Sequence, residues 1–167
     1  MGHQMTKGDI EKIEEEIRYR TLELRPKLLE AVKTARAQGD LSENFEYYAA
    51  KRENNRNNSR IRYLEKEIRN AVMIEDNSGE DEVGLYNTVT VYFPEDDEEE
   101  TYKVVTSMRQ DLLKKRISNV SPIGKALIGK KVGDTCHVVM ENGASYDVII
   151  RKIEKTTDDG SDELKKY

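Results

Sequence analysis

The sequence predicts two structural parts, a long antiparallel α-helical coiled coil followed by a small α+β domain with a mostly antiparallel sheet. Three observations carry this prediction. Two charged segments of roughly 30 residues each have apolar residues at spacings of three, four and seven, the period of a helix. A single short break, at residues 39–47, separates them. After residue 84 the apolar period changes to two, which is the period of a strand.

The composition suits an elongated fold better than one compact globule. Charged residues make up 37% of the chain and aromatic residues 7%, with no Trp. The net charge of -5 argues against a broad duplex-binding surface, because neutralising phosphates requires clustered Lys and Arg. One cysteine excludes an internal disulfide framework, and no apolar run is long enough to span a bilayer. We therefore expect a cytoplasmic protein without membrane contact.

The first helix is predicted at residues 9–37. Asp9 is expected to cap its N-terminus and Gly39 to end it. Pro26 predicts a kink, because proline inside a helix removes a hydrogen bond and clashes with the preceding turn. The apolar stripe is as narrow as a coiled-coil seam and consists of Ile10, Ile13, Ile17, Leu24, Leu28, Ala31 and Ala35.

The second helix is predicted at residues 42–74. Its stripe consists of Tyr47, Ala50, Ile61, Leu64, Ile68 and Ala71. Asn54 and Asn57 fall at seam positions, where a buried Asn fixes register at a cost in stability. So short a connection requires antiparallel helices, and a seam satisfied within one chain predicts a monomer. The coiled-coil domain is accordingly assigned to residues 5–75, with its tip at 39–47.

The second domain is predicted at residues 85–154, after an acidic, glycine-containing linker at 76–84. Its strands are expected at 88–93, 102–106, 135–140 and 145–153, with a short helix opened by Ser121. The dipeptide Asn142-Gly143 is a strong hairpin signal. Residues 155–167 are polar and are predicted to form a flexible tail.

Two carboxylates, those of Asp40 and Glu43, lie three residues apart in the tip. Side chains at this spacing face one point at a helix start, and carboxylate oxygens are ligands that Mg²⁺ prefers. Two carboxylates alone bind the ion weakly, so a metal site here needs a partner to complete it. The same spacing is typical of a capping box, and the spacing by itself favours that interpretation.

Basic residues flank the tip. Residues 31–60 contain six basic and four acidic side chains, a local charge of +2 where the whole chain carries -5. A phosphate-facing surface and an ordinary solvated helix face are both consistent with this charge.

Two motifs resemble the GreA/GreB family of bacterial transcript cleavage factors. The first is the tip, Gly39-Asp40-Leu41-Ser42-Glu43-Asn44 followed by Glu46-Tyr47. The second is Ser121-Pro122-Ile123-Gly124-Lys125-Ala126-Leu127. The resemblance spans nearly the whole chain and implies an N-terminal coiled coil and a C-terminal domain of FKBP-like fold. Phe45 departs from the family, which usually has a small residue there, and so does the Asn-rich run at 54–58.

The resemblance implies a transcription elongation factor whose partner is bacterial RNA polymerase. The C-terminal domain docks at the rim of the polymerase secondary channel, an interaction assigned to Ser121, Pro122, Ile123 and Gly124. The tip reaches the active centre, where Asp40 and Glu43 share a Mg²⁺ with the polymerase and act in trans in its own cleavage of backtracked RNA. The chain is then no enzyme by itself and needs no cofactor in isolation. Contacts to the RNA 3′ end are implied for Arg36, Ser42, Asn44 and Lys51.

Two alternatives stay open. One is an inhibitory regulator of the same fold, which enters the channel without promoting cleavage; the bulky Phe45 favours it. The other is a coiled-coil scaffold whose tip binds a protein and does no chemistry. The presence of both Asp40 and Glu43 favours the cleavage factor.

Overall fold

A computed structural model describes residues 2–39 and 44–166. These residues form two units. The first contains Gly2 and Ile10–Ala71, and the second contains His3–Asp9 and the chain from Val72 onwards. Within the described residues, no helix combines the length and apolar character that crossing a membrane requires.

The first unit is a helical hairpin, as predicted. Its first arm comprises α1 (Lys7–Tyr19), a π-helical turn (Arg20–Leu24) and α2 (Arg25–Ala37), and its second arm is α3 (Phe45–Arg69). The contacts between the arms pair Glu16 with Arg60, Arg20 with Asn57 and Arg36 with Tyr47. Because one member of each pair advances along the chain as the other recedes, the arms run in opposite directions.

The first helix begins two residues earlier than predicted, and Asp9 is not its cap. The Thr6 N–H donates to Asp9 Oδ2 over 2.9 Å, and the Asp9 N–H donates to Thr6 Oγ1 over 3.3 Å. This reciprocal pair is a capping box with Thr6 at the cap position. Asp9 is instead buried in the second unit.

The π-helical turn lies directly before Pro26, where the sequence predicts a kink. The Arg25 N–H reaches back five residues to the Arg20 carbonyl. Proline at position 26 has no N–H to donate to the residue-22 carbonyl, and its ring crowds that oxygen. A π-helical turn widens the backbone locally and so accommodates the ring while the arm continues.

The Asn-rich run of the second arm packs against this π-helical turn. Asn57 is buried; its Nδ2 donates to the Arg20 carbonyl over 3.2 Å, and its Oδ1 accepts from Arg20 Nη1 over 3.0 Å. Asn58 Oδ1 accepts from Arg25 Nε. Two amides of the run at 54–58, those of Asn57 and Asn58, thus hydrogen-bond the irregular piece of helix and the residue after it across the seam. Asn57 is buried, as its seam position predicts, and its role in fixing register stays a prediction.

Glu16 forms an ion cluster between the arms. Its Oε2 accepts from Arg20 Nε and from Arg60 Nε, each over 2.8 Å. Burial by itself raises the pKa of the Glu16 carboxyl, but the hydrogen bonds from Arg60 and Arg20 outweigh it, and the pKa is lowered. A carboxyl with a lowered folded-state pKa stabilises the fold above its unfolded pKa, and this contribution is lost as the pH falls through the folded-state value.

We expect Glu16→Gln to flatten the acid side of the stability profile. The free energy of unfolding of the native protein should fall faster than that of the variant as the pH drops below the ordinary glutamate value of 4.5. Urea unfolding of both proteins between pH 7 and pH 3 measures this. Exposed Glu53→Gln, which breaks only a surface pair with Arg56, is the matched control. Parallel profiles for Glu16→Gln and the native protein would contradict the assignment.

The second unit is built on a mixed sheet. Its strands are β3 (Thr88–Phe93), β4 (Glu98–Val105), β5 (Arg116–Ser118), β6 (Thr135–Val139) and β7 (Ser145–Glu154), after β1 (Gln4–Met5) and β2 (Val72–Met73), which pair with each other in parallel. The strand order is β5-β4-β3-β7-β6. The pairs β3–β4, β3–β7 and β6–β7 are antiparallel, and β4–β5 is parallel. Helix α4 (Pro122–Leu127) places Leu127 in the apolar core beside Val89, Val91 and Ile150.

Two parts of this unit differ from the prediction. Strand β5 was missed, because three residues that follow two 3₁₀ turns (Ser107–Arg109 and Leu112–Lys114) are too short to show a period. The polar segment after Lys155, expected to be a flexible tail, packs on the unit. Asp158 binds both terminal nitrogens of Arg109 at 3.0 and 2.9 Å, and Leu164 is buried. The segment is polar because acidic residues such as Asp158 pair with buried cations.

Candidate functional site

Asn44 joins the two arms at the tip. Its Oδ1 accepts from the Tyr47 N–H over 3.0 Å, which makes Asn44 the N-cap of α3, and its backbone is extended. Its Nδ2 donates to the Ala35 carbonyl in the last turn of α2 over 2.6 Å. The predicted start of the second helix at residue 42 is therefore wrong, since the helix begins at Phe45. One amide both caps the second arm and ties it to the first.

Two basic side chains next to the tip, those of Arg36 and Lys51, contact Tyr47. Arg36 Nη2 donates to the Tyr47 hydroxyl over 3.4 Å, and the Arg36 guanidinium carbon lies 5.5 Å from the ring centroid. Lys51 Nζ lies 5.9 Å from the same centroid. The hydrogen bond from Arg36 is the main cause of a lowered Tyr47 pKa, with the Lys51 charge adding to it. Tyr47 is buried, as its seam position predicts, but the spacing gave no sign that it holds two cations.

The positive charge at this end of the hairpin is available to a ligand. Within residues 2–39 and 44–166, the polar and cation–π contacts of Arg36 and Lys51 go to the Tyr47 side chain, and neither forms an ion pair. An Arg–Lys pair on an aromatic ring, without an ion-pair partner among the described residues, is suited to phosphate, since each cation has several N–H donors.

The predicted site residues Asp40, Ser42 and Glu43 lie outside the described residues. Their neighbours on either side are described: Gly39 has a φ of +147°, and Asn44 caps α3. Since that cap belongs to Asn44, the second arm does not depend on Asp40 or Glu43 for its start. Within the described part of the chain, no three His, Cys, Asp or Glu side chains cluster as metal ligands would.

The predicted docking segment has clear structural roles in the second unit. Ser121 Oγ accepts from the Gly124 N–H over 3.2 Å and donates to the Ser118 carbonyl over 2.6 Å, so it caps α4. Pro122 stands in the first turn, where no N–H is needed. A Cβ at Gly124 would lie 2.0 Å from the Ser118 carbonyl oxygen, which requires glycine. Docking by these residues stays a prediction.

Two apolar features are exposed, of which the sequence singles out Phe45 as a departure from the family but predicts nothing for Leu112 and Leu113. Leu112 and Leu113 lie in a 3₁₀ turn with almost fully exposed side chains. Phe45, the first residue of α3, is 85% exposed. The sequence signal for each was an apolar residue out of phase with the neighbouring period.

Comparisons with known proteins match most of the chain to one family. The family model described as transcription elongation factor, N-terminal, matches residues 3–73, and that described as transcription elongation factor, GreA/GreB, C-term, matches residues 77–155. Transcription elongation factor GreA of Streptococcus pneumoniae (strain G54) is 45% identical over 155 residues, 92% of this chain and 96% of that protein. The protein of the same name from Streptococcus sanguinis (strain SK36) has the same identity and coverage. The crystal structure of GreA factor homolog 1 (Gfh1) of Thermus thermophilus is similar at 27% identity and a TM-score of 0.43, covering 92% of this chain and 99% of that one.

Proposed function

Because this chain belongs to the GreA/GreB family of transcription elongation factors, we propose that it enters the secondary channel of bacterial RNA polymerase and stimulates the polymerase's cleavage of backtracked RNA. The observation that carries the proposal is the hairpin end, where Asn44 fixes the junction and Tyr47 presents Arg36 and Lys51. The motif Gly39-Asp40-Leu41-Ser42-Glu43 lies between these residues in sequence. In sequence, basic residues thus lie on both sides of the segment that contains the two carboxylates.

A long hairpin is well suited to carrying the segment at residues 39–43 into a narrow channel. Helix α3 has 25 residues, which at 1.5 Å per residue corresponds to roughly 37 Å. The hydrogen bonds of Asn57 and the Glu16 cluster join the two arms and so stiffen the helices that precede and follow the tip in sequence.

Asp40 and Glu43 would hold a Mg²⁺ jointly with the polymerase, because carboxylate oxygens are ligands that this ion prefers. Two carboxylates alone would bind it weakly, so polymerase carboxylates, RNA phosphate and water would supply the other ligands. The ion would stabilise charge on the phosphate and lower the pKa of a water. Arg36 and Lys51 contribute by attracting the RNA backbone, and Ser42 and Asn44 stand close enough in sequence to contact the RNA.

The second unit supplies the docking surface. We assign polymerase binding to residues 85–154, with Ser121, Pro122, Ile123 and Gly124 at the capped start of α4, where Gly124 is buried and Ile123 packs against the core. The sheet with α4 against it supports an FKBP-like fold for this domain. The chain acts as a monomer in the cytoplasm, where its polymerase works, and supplies groups to the polymerase's reaction without catalysing one alone.

Stalled complexes of bacterial RNA polymerase with a labelled, backtracked transcript test this proposal. Addition of the protein should shorten the RNA from its 3′ end and restart elongation. A protein that slows elongation without shortening the RNA would be an inhibitory channel regulator. One that leaves both unchanged and does not bind polymerase would be a scaffold of another kind.

A further inference from the structure

Phe45 places a large aromatic ring in solvent at the end of the hairpin. It follows the capping residue Asn44 directly and is 85% exposed, whereas Tyr47, two residues on, is buried. The ring contributes nothing to the seam, and a solvated Phe gains no burial energy. The exposed ring is therefore accessible to a ligand.

The surroundings of Phe45 suit single-stranded nucleic acid. Tyr48, three residues on and hence on the same side of the helix, is 42% exposed and meets Tyr47 edge-on, with centroids 5.3 Å apart. The Arg36 and Lys51 cations lie on the far partner of this pair, Tyr47. Glu46 is the acidic group of the same turn. Exposed rings that stack on bases and cations that attract the backbone are the two elements of single-strand binding, and both lie at this end of the hairpin, with the cations on the Tyr47 side of α3.

We propose that Phe45 stacks on an unpaired base of the extruded RNA 3′ segment and thereby makes this factor sensitive to the identity of that base. The inference rests on the proposed function, which brings the tip to this RNA. Stacking grows with the area of the base, so purines are favoured over pyrimidines. Phe45 acts as a specificity-determining residue, while the carboxylates remain the reacting groups.

The test uses backtracked complexes assembled on synthetic transcripts with a purine, a pyrimidine or an abasic nucleotide at the first extruded position. Loss of one base–aromatic stack corresponds to about a tenfold change. Phe45→Ala should therefore slow cleavage about tenfold on purine transcripts and leave cleavage of abasic transcripts unchanged. Phe45→Trp should retain the purine preference. Leu22→Ala removes another exposed apolar side chain of the hairpin and is the matched control.

Three outcomes would overturn the proposal: Phe45→Ala cleaving purine transcripts at the native rate, an equal loss on abasic transcripts, or a native protein indifferent to the base. An equal loss would place the ring against the channel wall instead. If the native protein stimulates no cleavage, the proposed function fails separately, and photocrosslinking from a 3′-terminal 4-thiouridine decides the stacking. Crosslinks to native protein but not to Phe45→Ala then support it, and equal or absent crosslinks exclude it.

Discussion

Asp40→Asn should lower RNA cleavage in backtracked complexes by about 100-fold, the loss typical when one group that stabilises transition-state charge is removed. Asparagine keeps the size of the side chain and its capping ability but supplies a weaker ligand for Mg²⁺. The structure strengthens this design. Helix α3 is capped by Asn44, which is also bonded to Ala35, so the substitution leaves the second arm's own cap in place.

The loss of cleavage can be assigned to the missing carboxylate only if Asp40→Asn still occupies the polymerase channel. Asp40→Asn should therefore compete with the native protein and reduce its cleavage when in excess. Glu46→Gln removes a neighbouring charge from the first turn of α3 and should cleave at close to the native rate. Native-like cleavage by Asp40→Asn would show that this carboxylate takes no part in the reaction. Equal losses in both variants would indicate a general requirement for negative charge at the tip.

The sequence predicted the fold where a period persists. The two helical stripes and the alternating strands at 88–93 and 145–153 appear as α1–α3, β3 and β7. The start of the second helix was predicted at residue 42, because the tip contains several residues that can cap a helix. Asn44 is the cap, and its side chain also bonds the Ala35 carbonyl, a contact across the hairpin that no local pattern contains. The parallel strand β5 and the docked C-terminal segment depend on distant partners that no local pattern contains.

In the candidate site, too, the sequence predicted individual residues but not the contacts between distant ones. The motif predicts Asp40 and Glu43, which lie outside the described residues, and the family resemblance singles out Arg36 and Lys51 among the six basic residues near the tip. The shared contact of these two cations with Tyr47 was not predictable, because a heptad position says that a side chain is buried but not which neighbours approach its ring. Within the Asn-rich run, which departs from the family, Asn57 and Asn58 hydrogen-bond Arg20 and Arg25 at the π-helical turn.

Arg109→Met should cost the second unit about 3–5 kcal/mol of stability, the loss expected when a buried ion pair is broken from one side. Arg109 and Asp9 are 1% and 0% exposed, and Nε lies 3.0 Å from Asp9 Oδ1. Asp9 also accepts from the Tyr86 hydroxyl over 2.6 Å and the Thr106 hydroxyl over 2.7 Å. Burial, and next the Asp9 charge, raise the pKa of Tyr86, so its hydroxyl stays protonated and donates.

Removing Arg109 leaves the Asp9 charge buried with neutral donors only, and frees Asp158 as well. Urea unfolding at pH 7 measures the loss, and Arg151→Met is the matched control. Arg151 lies on the Tyr92 ring at 4.2 Å and 3.6 Å from Glu99, but half exposed, so its replacement should cost less than about 1 kcal/mol. Adding Asp9→Asn to Arg109→Met should restore part of the loss, because it removes the stranded charge. If the losses from Arg109→Met and Asp9→Asn add in the double variant, the two residues stabilise the unit independently. The capping box at Thr6 and the C-terminal segment at Asp158 would then not be coupled through Arg109.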